Sequence, residues 1–364
     1  VKQSRYPKMK TTKSPYRYVF HSPGQPLVRE EFELSPLAAG EAWIEIAGCG
    51  LCHTDLSFLD EGVKTKHPLP LTLGHEIAGR VIAAGPGSES WVQRAVIVPA
   101  VMVCATCDRC THDLAPMCSE QKMPGNDMQG GFASHVRVPI LGLCPVDENR
   151  LAAANLSLAQ VSVVADALTT PYQAIELAQV QAGDLAVVIG VGGVGVYCAQ
   201  IARARGASVI AIDVDARKLE AAAPYCARTI DARSADAKAM KKLCLETARE
   251  HGGRDSGWKI FECSGSRAGQ ESAFSLLVPG ATLMIVGFTR EKVEVRLSNL
   301  MALHAKIQGN WGCTPERYPA ALEEVLAGRV EVAPFVELRP LDSIEETLAQ
   351  ARAHLLQRRI VFVP

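Results

Sequence analysis

The stretch from Leu185 to Ala204 constrains this chain more than any other. An apolar run, Leu185 to Ile189, meets the glycine turn Gly190-Val191-Gly192-Gly193-Val194-Gly195, and a helical pattern follows through Val196, Ala199, Gln200 and Ala202. A bare G-x-G-x-x-G is a weak signal. Between a strand and a helix it has the context that a dinucleotide-binding unit requires. The glycines let the backbone approach a pyrophosphate, and the helix N-terminus favours negative charge there. Gly190, Gly192, Gly193, Val194 and Gly195 are therefore candidate cofactor residues. Asp213 closes the next buried run, "ASVIAIDVD", about 20 residues on. A carboxylate at that point accepts from a ribose 2′-hydroxyl and repels a 2′-phosphate, so NAD is expected over NADP.

The rest of the chain divides around this unit. Its 364 residues exceed one ordinary core, so two domains are expected. Residues 18–165 read as short β-rich runs such as "AWIEIAGCG" and "IAGRVIAAG", punctuated by Gly and Pro. From Leu158 the texture changes. "VSVVADALTTPYQAIELAQV" reads as helix, and "WKIFECSG" and "ATLMIVGF" read as strands separated by helical segments. Such alternation implies a parallel sheet covered by helices on both faces. The texture changes again near Trp311. The fold class is α/β, with a doubly wound domain beside a β-rich one.

Charge excludes one class of partner. Lys and Arg total 38 against 39 Asp and Glu, so the net charge of −1 gives no global field for nucleic acid. No run of about 18 apolar residues suggests a membrane span. Lys2, Arg5, Lys8, Lys10, Lys13 and Arg17 form a basic arm, read as a solvated tail. It has no apolar core of the secretory kind, so the cytoplasm is the expected location. Disulfides rarely persist there, and twelve cysteines then point to metal or chemistry.

Four of them, Cys104, Cys107, Cys110 and Cys118, lie within "CATCDRCTHDLAPMC". Disulfides, an iron–sulfur cluster, zinc and a chance cluster of buried thiols all compete. A ferredoxin-type cluster wants a last gap of three residues and a following proline. The spacing here suits tetrahedral zinc better. Upstream, Cys52 in "GCGLCHTDL" and His75-Glu76 in "LGHEIAGRVIAAG" pair a thiolate with an imidazole, as catalytic zinc sites do. Taken singly, each is more often a core residue.

"GHEIAGRVIAAG", with Gly74, His75, Glu76, Gly79 and Gly85, resembles the signature of zinc-containing medium-chain alcohol dehydrogenases. "CHTD" at 52–55, the four-cysteine stretch and GVGGVG follow in that family's order, and the likeness runs from about residue 18 to the end. The resemblance implies a GroES-like catalytic domain, residues 1–163 and 312–364, interrupted by a Rossmann domain, residues 164–311. It makes residues 100–120 a structural-zinc lobe held by Cys104, Cys107, Cys110 and Cys118. It implies a homo-oligomer, a tetramer rather than a dimer.

The same resemblance assigns roles. Cys52 and His75 would hold the catalytic zinc. Asp166, in "DALTTPY", stands where the family often has a cysteine ligand; its competing reading is an N-cap for the next helix. Glu76 would be an alternate ligand, and Asp55 would orient His75. Thr54 would relay the substrate proton, and His53 would lie beside the cofactor pyrophosphate. Ser57 replaces the histidine that ends the relay in many members. Lys218 would touch the adenosine ribose, and Gly287 and Phe288 would lie at the nicotinamide. The cofactors implied are NAD and zinc, for hydride transfer from an alcohol. "MPGNDMQGGFASHVRVP", "SVVADALTTPYQA", "KIFECSG" and "VEVRLSNLMALHAKIQGNWG" narrow the likeness to a branch acting on a CoA thioester. Its substrate is 6-hydroxycyclohex-1-ene-1-carbonyl-CoA, in anaerobic benzoyl-CoA degradation. Lys64 and Lys66 are candidates for the CoA phosphates, against a solvated-loop reading. A dehydrogenase of general cyclic or secondary alcohols and a non-catalytic NAD- and zinc-binding regulator are the competing functions.

Overall fold

The structure, a computed structural model, describes residues 14–364. The basic arm from Lys2 to Lys13 lies outside the described residues, while Arg17 pairs with Glu30 at 3.4 Å. β1 (Tyr16–Val19) and β2 (Val28–Glu31) form an antiparallel ribbon. Next come β3 (Glu41–Gly50), β4 (Glu76–Ala84), β5 (Ala95–Val98), β6 (His135–Pro139) and β7 (Cys144–Pro145). β8 (Leu185–Ile189), β9 (Ser208–Asp213), β10 (Arg228–Asp231), β11 (Lys259–Glu262), β12 (Thr282–Ile285) and β13 (Lys306–Gly309) follow. β14 (Val336–Pro340) and β15 (Arg359–Val363) complete the strands.

Two large sheets result. The first has the order β14-β15-β3-β4-β5-β7, with β6 also paired to β3. The last two strands of the chain thus return to the sheet built by the first third. The second sheet has the order β10-β9-β8-β11-β12-β13, and every pairing in it is parallel. Sequence order reverses beside β8, so a ligand crevice is expected outside the carboxyl ends of β8 and β11.

Both faces of the second sheet are covered, which is why β8 is apolar throughout and wholly buried. The helix Gly195–Ala204 lays Cys198, Ala199 and Ala202 over Val188, Ala211 and Phe261. On the other face Met240, Cys244, Trp258 and Phe274 cover Val187, Ile210 and Ile260. The first sheet closes over Ile44, Ile77, Val96, Phe132 and Phe362, with the two phenyl rings edge to face at 5.5 Å. Among the described residues, no helix is long and apolar enough to cross a membrane.

One expected helix is broken. "VSVVADALTTPYQAIELAQV" forms a 3-10 turn, Gln160–Ala165, and then a separate helix, Thr169–Leu177. The break falls at Asp166, and its backbone groups find partners elsewhere. The Ala165 carbonyl accepts from the Tyr318 hydroxyl, and the Ala167 N–H donates to Glu76 Oε1 at 3.1 Å. With those bonds made, leaving the helical ladder costs little. The break turns the Asp166 side chain towards the start of β4.

Candidate active site and zinc lobe

The elements above carry four side chains to one point. β3 runs out at Gly50, and Cys52 follows as the residue capping the helix His53–Asp60. β4 begins at Glu76, preceded by His75, and Gly74 makes the turn before it with φ +91°. That left-handed turn is one a side chain rarely adopts, which explains the glycine of the GHE signature. Cys52, His75, Glu76 and Asp166 each place a donor atom within 4.8 Å of the others. Cys52 Sγ lies 3.8 Å from Asp166 Oδ2, and His75 Nε2 lies 3.6 Å from the same oxygen. Ligands at about 2.0–2.3 Å in a tetrahedron stand about 3.3–3.8 Å apart, so the thiol, imidazole and carboxylate fit zinc.

The anionic groups around the pocket favour a cation at its centre, which is a proton on His75 unless a metal ion replaces it. Burial disfavours the His75 cation, but Asp55, Cys52 and Asp166 raise its pKa well above the ordinary value. Burial would likewise raise Asp166; the hydrogen bond and charge of His75, with Thr170 and Arg359 behind them, hold it down at about 2. Asp166 does not cap the next helix, whose N-terminus has no side-chain cap. Asp55 pairs with His75 by charge and also holds backbone. Its carboxylate accepts from the N–H groups of Cys52 at 3.0 Å and Gly74 at 3.1 Å. It stands 3.6 Å from His75 Nδ1, beyond hydrogen-bond reach. Asp55 therefore ties together the two backbone segments that carry Cys52 and His75.

Glu76 is engaged by a residue that sequence reasoning missed. Arg359, at the start of β15, donates through Nε to Glu76 Oε2 at 2.7 Å and through Nη2 to Oε1. Both side chains are buried. Glu76 reaches a metal only by giving up part of this pair. Arg359 also abuts the glycine turn, since a Cβ on Gly193 would stand 2.6 Å from its Nη1. The only local trace is the paired arginines of "RRIVFVP", which match no spacing rule.

The candidate cofactor residues divide between two cavities, and Gly190, Val194, Gly195 and Asp213 line neither. A cavity of about 440 Å³ is lined by Cys52, His53, Gly192, Gly193, Lys218 and Arg359, among others. The helix after the turn packs so closely that a Cβ on Gly195 would stand 1.8 Å from the Gly190 carbonyl oxygen. Asp213 is buried and accepts from the Val191 N–H at 2.8 Å and the Asp215 N–H at 2.9 Å, so it shapes the turn, while Asp215, Arg217 and Lys218 line the cavity beside it. A second cavity, about 540 Å³, contains Gly287 and Phe288 with Leu114, Met117, Trp311 and Arg317. The Gly287 N–H donates to the Glu262 carbonyl at 2.8 Å, which fixes that loop. Thr54 Oγ1 stands 3.7 Å from Cys52 Sγ. Ser57 is buried, and its hydroxyl has no partner among the described residues, so it offers no proton path to solvent there. Lys64 is exposed, Lys66 pairs with Asp127 at 3.2 Å, and neither lines these two cavities.

The zinc lobe is equally well formed. Cys107 Sγ lies 3.5 Å from Cys110 Sγ and 3.8 Å from Cys118 Sγ, and Cys104 and Cys110 stand 4.0 Å apart. Four thiolates at about 2.3 Å from zinc stand about 3.8 Å apart. Hydrogen bonds from Thr106 and the Cys107 N–H lower Cys104, and those from Ser119 bring Cys107 down to about 5. Burial and the neighbouring cysteines push Cys110 up to about 12, and burial raises Cys118, so without a cation only two of the four thiols favour the thiolate, and a bound metal ion would have to displace the other two protons.

Two sheets, a dinucleotide crevice between them and two zinc-fitting sites define a two-domain zinc dehydrogenase. The chain belongs to the medium-chain zinc-binding alcohol dehydrogenase family. Residues 38–148 match the alcohol dehydrogenase GroES-like domain, and residues 193–327 match the zinc-binding dehydrogenase domain. An alcohol dehydrogenase of Geobacillus stearothermophilus is 27% identical over 340 residues, 93% of this chain and 96% of that one. The alcohol dehydrogenase of Aeropyrum pernix superposes with a TM-score of 0.83 at 25% identity, over 96% of this chain and all of that one. Galactitol-1-phosphate dehydrogenase of Escherichia coli has the same fold, with a TM-score of 0.85 at 22% identity, covering 96% and 100%. The protein is an oxidoreductase of the alcohol dehydrogenase type, with zinc and a nicotinamide dinucleotide as its cofactors.

Proposed function

We propose that this enzyme oxidises the ring alcohol of a cyclic 6-hydroxy-1-enecarbonyl-CoA thioester with NAD. Its product would be the 6-oxo thioester of the anaerobic benzoyl-CoA route, and its setting the cytoplasm. Cys52, His75 and Asp166 hold the zinc, which when bound supplies Lewis acidity towards the alcohol oxygen. Thr54 takes the alcohol proton, and water in the cleft receives it, because Ser57 is sealed off. Gly192 and Gly193 of the glycine turn, with Lys218, His53 and Arg359, line the cavity that would hold the dinucleotide, which would supply the hydride acceptor. The observation that carries the finer reading is the second cavity. At about 540 Å³, bounded by Leu114, Met117, Phe288 and Trp311, it has room for more than a simple alcohol.

The test compares kcat/KM for the CoA ester, its pantetheine ester and the free acid at several salt concentrations. The CoA ester should be preferred. Truncation should lower kcat as well as raise KM, because remote binding energy orients the ring. Equal values for all three would leave a dehydrogenase of general cyclic or secondary alcohols.

NAD should be favoured over NADP, since Asp213 would face a 2′-phosphate. Asp213→Ala should narrow that preference, chiefly by raising KM for NAD. A lost hydrogen bond and a lost like charge are each worth about 1–3 kcal/mol, so the change should reach at least about tenfold. Equal use of both cofactors by the unaltered enzyme would contradict the assignment.

A further inference from the structure

A carboxylate ligand raises a problem that a cysteine ligand does not. Cysteine offers zinc one sulfur. Aspartate offers two oxygens, and its carboxylate can rotate or chelate through both. Tetrahedral geometry from three protein ligands needs one oxygen presented and the other held away.

The structure contains a hydroxyl placed to do this. Thr170 Oγ1 donates to Asp166 Oδ1 at 2.6 Å, while Oδ2 is the oxygen that faces Cys52 and His75. Threonine in a helix usually turns its hydroxyl back to the carbonyl four residues earlier. Thr169 does that, bonding the Ala165 carbonyl at 3.2 Å. Thr170 does not. Its N–H takes the Asp166 carbonyl at 2.9 Å, and the hydroxyl is left for the carboxylate. Thr170 is itself buried and fixed from the other side. Asn310, the residue after β13, donates through Nδ2 to the Thr170 carbonyl at 3.0 Å. Gln173 Nε2 in turn holds Asn310 Oδ1 at 3.1 Å.

We infer that Thr170 is a positioning residue for the catalytic zinc. It occupies Asp166 Oδ1 so that Asp166 binds through Oδ2 alone. Asn310 anchors Thr170 to the edge of the dinucleotide-binding sheet, so the orientation of this ligand is tied to the nicotinamide side of the cleft. The inference rests on the reading of Asp166 as a zinc ligand.

The test measures zinc affinity, not turnover. The zinc-loaded protein is titrated with a chromophoric chelator, and the zinc of the Cys104–Cys118 lobe serves as an internal control. Thr170→Val should weaken the catalytic zinc about 10–100-fold, the usual effect of removing a group that orients a metal ligand. Thr170→Ser should restore the affinity, and the lobe zinc should be unchanged in both. Thr170→Ala removes the hydroxyl without adding a group and should show the same loss if Thr170→Val does not fold. Wild-type affinity in Thr170→Val or Thr170→Ala would overturn the inference. Asp166→Ala separates the two readings. If it keeps both zinc ions, the ligand assignment fails whatever Thr170 does. If it loses one while the hydroxyl-free variants keep both, only the role of Thr170 fails.

Discussion

Replacing Arg359 with leucine should destabilise the protein by about 3–5 kcal/mol, the usual cost of stranding one partner of a buried ion pair. Glu76 is wholly buried, and Arg359 supplies two of the donors to its carboxylate. Burial raises the pKa of Glu76 even with Arg359 beside it. Without the arginine, folded Glu76 should take up a proton more readily still. A group whose folded pKa lies above its unfolded value favours folding below the unfolded value, here 4.5, and loses that advantage as pH rises. The defect of Arg359→Leu should therefore shrink towards pH 4 and grow towards neutrality. Urea unfolding of both proteins across that range measures it. The double variant Arg359→Met/Glu76→Leu should recover much of the loss, because a buried pair replaced by apolar side chains is often neutral or stabilising. A defect that is constant with pH, or that the double variant does not relieve, would show that Arg359 acts by packing alone.

Asp166→Ala should reduce bound zinc from two ions to one and lower kcat/KM at least about a hundredfold, since even an outer partner of a metal ligand is worth 10–100-fold. Cys104, Cys107, Cys110 and Cys118 should keep their ion, because the lobe shares no residue with the Cys52 site. Elemental analysis of demetallated and zinc-reconstituted protein counts the ions. Two ions and full activity in Asp166→Ala would make Glu76 or water the ligand. Iron with visible absorption in the unaltered protein would reject zinc.

Local spacing made much of this molecule legible. The glycine turn, the four cysteines and the Cys52 and His75 segments each announce their chemistry within a few residues. Asp166 was harder, because its apolar neighbours read as unbroken helix. The break depends on Tyr318 and Glu76, far away in the chain. Arg359 stands 283 residues from Glu76, and no pattern in either segment names the other. Thr170 lies in a segment that the family likeness singles out, yet which carboxylate oxygen its hydroxyl takes is set by the turn at Asp166. Asp55 shows the converse. Its importance was legible, but its hold on the Cys52 and Gly74 backbones became visible only in three dimensions.

The most direct test of the account is NADH formation by the purified, zinc-reconstituted enzyme. The CoA ester would be supplied beside simple cyclic alcohols, before and after selective removal of the Cys52–His75–Asp166 zinc. NADH should form from the alcohol, fastest with the thioester, should be abolished with loss of that ion and should return when it is added back. NAD binding without NADH formation from any alcohol, or full turnover after that ion is removed, would contradict it.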